Sequence, residues 1–154
     1  VRMQTNLNSS FDFFPDDPDN EPVYENMVAC VDTAFFHMFS FKPVHGGGQF
    51  QMERPAVAVI SSKLAEKYFG NDNPVGRQIL MNARDLLEVT GVVEIPENTQ
   101  FNYDLFLPMP ASYHSSWTWR DPSFVRLHAD VDVQAFEDKL VTYFIHWSYH
   151  HIAC

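Results

Sequence analysis

The residues best spaced to do chemistry are three histidines near the C-terminus, His146, His150 and His151. If the last helix runs that far, His146 and His150 stand at i and i+4 on one face, a spacing that can chelate zinc. Trp147 and Tyr149 intervene, and the group lies beside the chain end. Frayed terminal side chains, or packing against a neighbour, is therefore the stronger reading, and no metal ligand is assigned. A second group is aromatic: Tyr113, Trp117 and Trp119, with Trp147, can line a groove for a peptide, a sugar or a lipid. Aromatics in a loop such as Ser112–Pro122 more often form a local mini-core. Even so, Tyr113, Trp117 and Trp119 are the best candidates for partner contact. Ser61 and Ser62 precede a helix, where capping accounts for them fully. A nucleophile needs a base within reach and a site that stabilises the electrophile. Neither a GxSxG elbow nor an HExxH pattern occurs. The run Gly46-Gly47-Gly48 lacks the strand–GxGxxG–helix setting and a following Lys, so it reads as a flexible turn rather than a phosphate loop. No catalytic residue, cofactor-binding residue or cofactor is assigned, and the chain is expected not to be an enzyme.

Composition narrows the classes further. A chain of 154 residues fits one domain, with room for two lobes, and 14 Phe within 45% apolar content can fill a core. The net charge of -10 argues against nucleic acid, because phosphate contacts need a basic face. It also suits poorly an anionic membrane surface. No run approaches the roughly 20 apolar residues of a membrane span, and no signal peptide opens the chain. A start at Val1 points to a piece excised from a longer protein. Cys30, in the apolar run MVACV, reads as a buried small hydrophobe; a bridge to Cys154 has no support.

The elements that must position these residues follow from pattern and punctuation. Residues 1–26 read as an acidic, loop-rich lead-in, with Phe13–Pro22 a solvated loop. It lacks the alternating acids, central Gly and closing Glu of a calcium loop. Met27–Val31 suits a buried strand, Thr33 an N-cap for a helix over Ala34–Phe39, and Phe41–His45 a strand. Pro55–Ile60 is a β-branched strand flowing into a helix. In that helix Leu64, Ala65, Tyr68 and Phe69 face the core, and Gly70 stops it. Gln78–Met81 and Leu86–Ile95 form a hairpin across Asn82–Asp85, with Gly91 marking a bulge or a close backbone approach. Phe101–Leu107 alternates as a half-buried strand, and Phe124–Ala129 is a further strand. Asp132 caps the last helix, whose stripe is Val133, Phe136, Leu140, Tyr143 and Phe144. The order mixes hairpins with three helices, so the expected fold is α+β with a mixed sheet.

Taken in order, VDTAFFHMFSF (Val31–Phe41), AVAVISSKLAEKYFGNDNPVGRQI (Ala56–Ile79) and LEVTGVVEIPENTQFNYDLFLPM (Leu87–Met109) resemble the MacB-like periplasmic core domain. That family belongs to ABC transporter permeases of the MacB/FtsX/LolC type. Gln100 stands where the family usually has a small Ser, and the acidic lead-in and the Trp-rich insert match no named motif of the family. The resemblance implies one extracytoplasmic domain over residues 1–154, set between transmembrane helices of a cytoplasmic (inner) membrane protein and facing the periplasm. A separate cytoplasmic ATPase would hydrolyse ATP, the permease would be dimeric, and an adaptor or a lipoprotein would be the periplasmic partner. Efflux or lipoprotein handling would be the process. A stand-alone periplasmic ligand-sensing or binding domain is the alternative.

Overall fold

The computed structural model describes residues 3–5, 9–14, 19, 21–25, 27–48, 50–110 and 123–151. The expected α+β architecture is present. Among the described residues nine strands form one mixed sheet: β1 (Met3–Thr5), β2 (Ser9–Asp12), β3 (Val23–Glu25), β4 (Val28–Val31), β5 (Lys42–His45), β6 (Val57–Ser61), β7 (Gln78–Met81), β8 (Asp85–Glu94) and β9 (Leu105–Pro108). The order is β1-β4-β9-β6-β8-β7-β2-β3, with β5 beside β8. The helices are α1 (Phe35–Met38), α2 (Ser62–Phe69) and α3 (Val133–His151). The chain divides into two compact units, residues 1–124 and 125–154.

In the first unit the central strands are apolar on both faces because both faces are covered. Strands β4 and β6 are buried at every position. Alternation sends Val28 and Cys30 of β4, Ala58 and Ile60 of β6, and Leu105 and Leu107 of β9 into one cluster, where α2 contributes Leu64, Ala65 and Phe69. Their neighbours Ala29, Val31, Val57, Val59 and Phe106 fall into the other, where α1 contributes Phe35. A helix of 4 residues has no stability of its own. The ring of Phe35 holds α1 in place, lying 5.1–5.6 Å from those of Phe36, Phe39, Phe41, Phe101 and Phe106. Each such pair contributes about 0.5–1.5 kcal/mol beyond area burial.

Gly91 is both a bulge and a close approach. In the parallel pairing of β6 with β8, Ala58 lies opposite Val89 but Val59 lies opposite Gly91. The extra residue, Thr90, reverses the side-chain parity, so Leu87, Val89 and then Val92 all reach the same cluster. Thr90 is buried and its hydroxyl donates to the carbonyl of Phe50 at 2.7 Å. A Cβ on Gly91 would run into the Phe50 ring, and one on Gly46 into the Thr90 carbonyl. The β7–β8 hairpin pairs Met81 with Asp85. Asn82 and Ala83 take positive φ at its tip, and the Arg84 amide donates to the Met81 carbonyl at 3.0 Å.

Several expected boundaries move. Thr33 is not the cap of α1. Ala34 holds that position without a side-chain bond, and the Asp32 carboxylate accepts from the Ala34 amide at 3.1 Å. The strand expected over Phe101–Leu107 begins only at Leu105, because Asp104 is held by Ser61 and Met27. The strand expected over Phe124–Ala129 does not form; only Ser123 makes a bridge. The lead-in, read as loop, carries β1, β2 and β3. Phe13, at the start of the supposed solvated loop, is buried and stacks on Tyr68 with ring centroids 3.9 Å apart.

In the second unit Asp132 caps α3 as expected, accepting from the Ala135 amide at 3.1 Å. Of the stripe, Val133, Leu140 and Tyr143 are 55%, 38% and 60% exposed.

Candidate functional site

Among the described residues of the first unit, a cavity of about 760 Å³ opens at one end of the sheet. Its floor is made by Cys30 at the end of β4, Leu107 and Met109 at the end of β9, Leu87 of β8, Met81 of β7, and Met52. Two backbone segments frame it, residues 52–56 and the β7–β8 hairpin. Apolar side chains dominate because the floor is the end of a buried sheet: Cys30, Met52, Leu87, Leu107 and Met109 are all at most 8% exposed. Burial strips water from the Cys30 thiol and pushes its pKa from 9.0 up to about 11, so it stays neutral near pH 7. Glu53, Arg54 and Asp85 stand at the rim. The Arg54 guanidinium is engaged by the Glu88 carboxylate at 2.8 Å.

A second polar arrangement joins α2 to the sheet. Ser61 is fully buried, and its hydroxyl accepts from the Leu64 amide at 3.0 Å and donates to the Asp104 carboxylate at 2.7 Å. The Ser61 amide also donates to the Asp104 carbonyl at 2.8 Å, and the Asp104 amide to the Met27 carbonyl at 2.8 Å. Lys63 approaches the other carboxylate oxygen at 3.4 Å. Each polar group thus has a structural partner, which is the chemistry of a helix cap and a clasp.

The sequence candidates separate. Tyr113, Trp117 and Trp119 lie outside the described residues, as does Cys154. The helix α3 does continue through His151, so His146 and His150 occupy i and i+4 on it. Among the described residues no group of three His, Cys, Asp or Glu is placed to hold a metal. Cys30 is buried and free, as its apolar setting suggested. The methionines of the cavity carried no local signal: Met52, Met81 and Met109 come from three segments that only the sheet brings together. Among the described residues no helix is long and apolar enough to cross a membrane.

The sequence profile of the MacB-like periplasmic core domain matches residues 8–143. The chain belongs to that family. MacB-like domains are periplasmic parts of ABC transporter permeases, which work with a transmembrane and ATPase system. Among solved structures, a domain of a protein described as a permease, from Porphyromonas gingivalis, is similar at a TM-score of 0.72 and 21% identity. The match covers 97% of this chain and 68% of that one. The periplasmic region of MacB from Actinobacillus actinomycetemcomitans is similar at a TM-score of 0.65 and 16% identity, over 94% of this chain and 65% of that one. At these identities the likeness is one of fold, and the chain spans about two thirds of the length of those structures. No curated protein matches the sequence.

Proposed function

We propose that this chain is a non-catalytic extracytoplasmic module of an ABC permease that couples transmembrane helix movement to a periplasmic substrate or partner protein. One observation carries the reading. All buried apolar side chains among the described residues fall between Met3 and Met109, whereas Val133, Leu140, Val141 and Tyr143 of α3 stand exposed. A packed sheet transmits displacement as a body, and exposed large apolar side chains on a helix support a contact role. Efflux or lipoprotein handling is the process, at the inner membrane, with an adaptor or a lipoprotein as periplasmic partner. The permease is a dimer served by a separate cytoplasmic ATPase.

The gene tests the setting: one transmembrane helix encoded before Val1 and three after Cys154 agree with it, and their absence sinks it. The coupling role is tested in the full-length permease with Leu140→Asp and Tyr143→Asp together. Transport should fall at least about fivefold at unchanged membrane assembly, the size of loss that about 1 kcal/mol of coupling represents. Undiminished transport would overturn the role assigned to α3.

A further inference from the structure

The 760 Å³ cavity at the end of the sheet is not needed for the coupling role, yet three features of it are those of a ligand site. Its volume falls inside the roughly 300–1,000 Å³ typical of small-molecule pockets. Its floor is unusually soft. Met52, Met81 and Met109 are three of the six methionines in the chain, and the flexible thioether fits apolar ligands of irregular shape. Its frame is strained. The four non-glycine residues with positive φ among those described are Gln51 (51°), Ala56 (58°), Asn82 (52°) and Ala83 (53°). Gln51 and Ala56 bracket the lining segment 52–56, whereas Asn82 and Ala83 form the hairpin turn, outside the lining. Left-handed backbone costs about 1–2 kcal/mol per residue outside glycine. Such strain gathers where a site must hold a fixed shape.

Rim charge selects among apolar ligands. Glu53 and Asp85 are exposed carboxylates, and Arg54, the basic residue within the lining, is already engaged by Glu88. An anionic head group at this rim would meet net repulsion, in a chain whose net charge is -10. We infer that the cavity binds the hydrocarbon chain of an amphiphile whose head group carries no negative charge, seated on Met52, Met81, Met109 and Leu107, with its head at the Glu53–Asp85 rim. This site is independent of the coupling role.

The test uses the 154-residue chain and two probes of equal chain length, monolauroylglycerol and laurate, each below its micelle concentration. Displacement of Nile red reports binding. Monolauroylglycerol should bind saturably at one per chain, with laurate about five- to tenfold weaker at pH 7. Met109→Trp, which fills the cavity, should abolish saturable binding at unchanged circular dichroism. Met109 is buried, so a second variant keeps the inference testable if that chain misfolds. Glu53→Lys with Asp85→Lys changes exposed side chains only and should bring laurate to at least the affinity of monolauroylglycerol. Absent or non-saturable binding, a wild-type preference for laurate, equal binding by a folded Met109→Trp chain, or no change in head-group preference with the two lysines would each overturn it.

Discussion

Residues 1–124 and 125–154 solve the same problem, how to shield apolar side chains, in opposite ways. In the first unit both faces of a sheet are covered, one by α2 and the other by α1 and a cluster of phenylalanine rings. In the second, a helix of 19 residues carries apolar positions that remain exposed. Of the nine large exposed hydrophobics among the described residues, six (Val125, Val131, Val133, Leu140, Val141 and Tyr143) belong to the shorter unit. A single helix has no second layer of its own, and burial requires one. The difference places the buried apolar side chains among the described residues in the first unit.

The sharpest way to break this contrast is to remove Phe35, around which five rings pack. Phe35→Ala should cost about 3–5 kcal/mol in denaturant unfolding followed by circular dichroism; a loss below about 1 kcal/mol would show that α1 is not part of the core. The Cys30 thiol comes next. Its folded pKa is raised, so the neutral form is the one favoured by folding. The associated stability is complete below pH 9 and is lost as pH rises from 9 towards 11. Relative to Cys30→Ala, the chain should lose roughly 2–3 kcal/mol across that window, since a tenfold change in proton affinity is worth about 1.4 kcal/mol. Parallel pH profiles of the two proteins would refute burial of this thiol.

Ser61→Ala removes the cap of α2 and leaves the Asp104 carboxylate without its hydroxyl donor. About 1–2 kcal/mol should be lost, and Ser61→Thr, which retains the oxygen, should recover part of it. The smallest effect belongs to the second unit. Leu140→Asp in the isolated chain should change the main unfolding transition by no more than about 0.5 kcal/mol, as exposed substitutions do. A loss above about 1 kcal/mol would mean that this face is covered in solution and would erase the contrast.

Much of the first unit was legible because its signals are local. Ser61 and Ser62, either able to cap, ahead of Leu64, Ala65 and Phe69 place the start of α2 and the side it buries, and Asp132 places the start of α3. Gly91 within a β-branched run marked the bulge. By contrast β1, β2 and β3 have 3 or 4 residues each, set among acids and prolines. β1 and β2 exist through pairing with distant β4 and β7, as in the opposition of Met3 to Val31 and Phe11 to Met81, and β3 through pairing with β2. The reverse failure occurred at Phe124–Ala129, where β-prone residues form no strand because a strand needs a partner edge. The apolar stripe of α3 is present as a pattern, yet a stripe by itself does not say whether a core lies opposite it.

The sequence alone determined the elements whose cause lies within a few residues: the caps of α2 and α3, the hairpin tip, the amphipathic side of α2, and the ordered motifs that identify the family. Tertiary structure alone decided the parity reversal at Thr90 and the meeting of Cys30, Met52, Met81 and Met109 around one cavity. It also decided which apolar faces are covered. Local signals act through neighbouring dihedrals and hydrogen bonds, whereas a cavity or a covered face depends on which distant segments the sheet order makes adjacent.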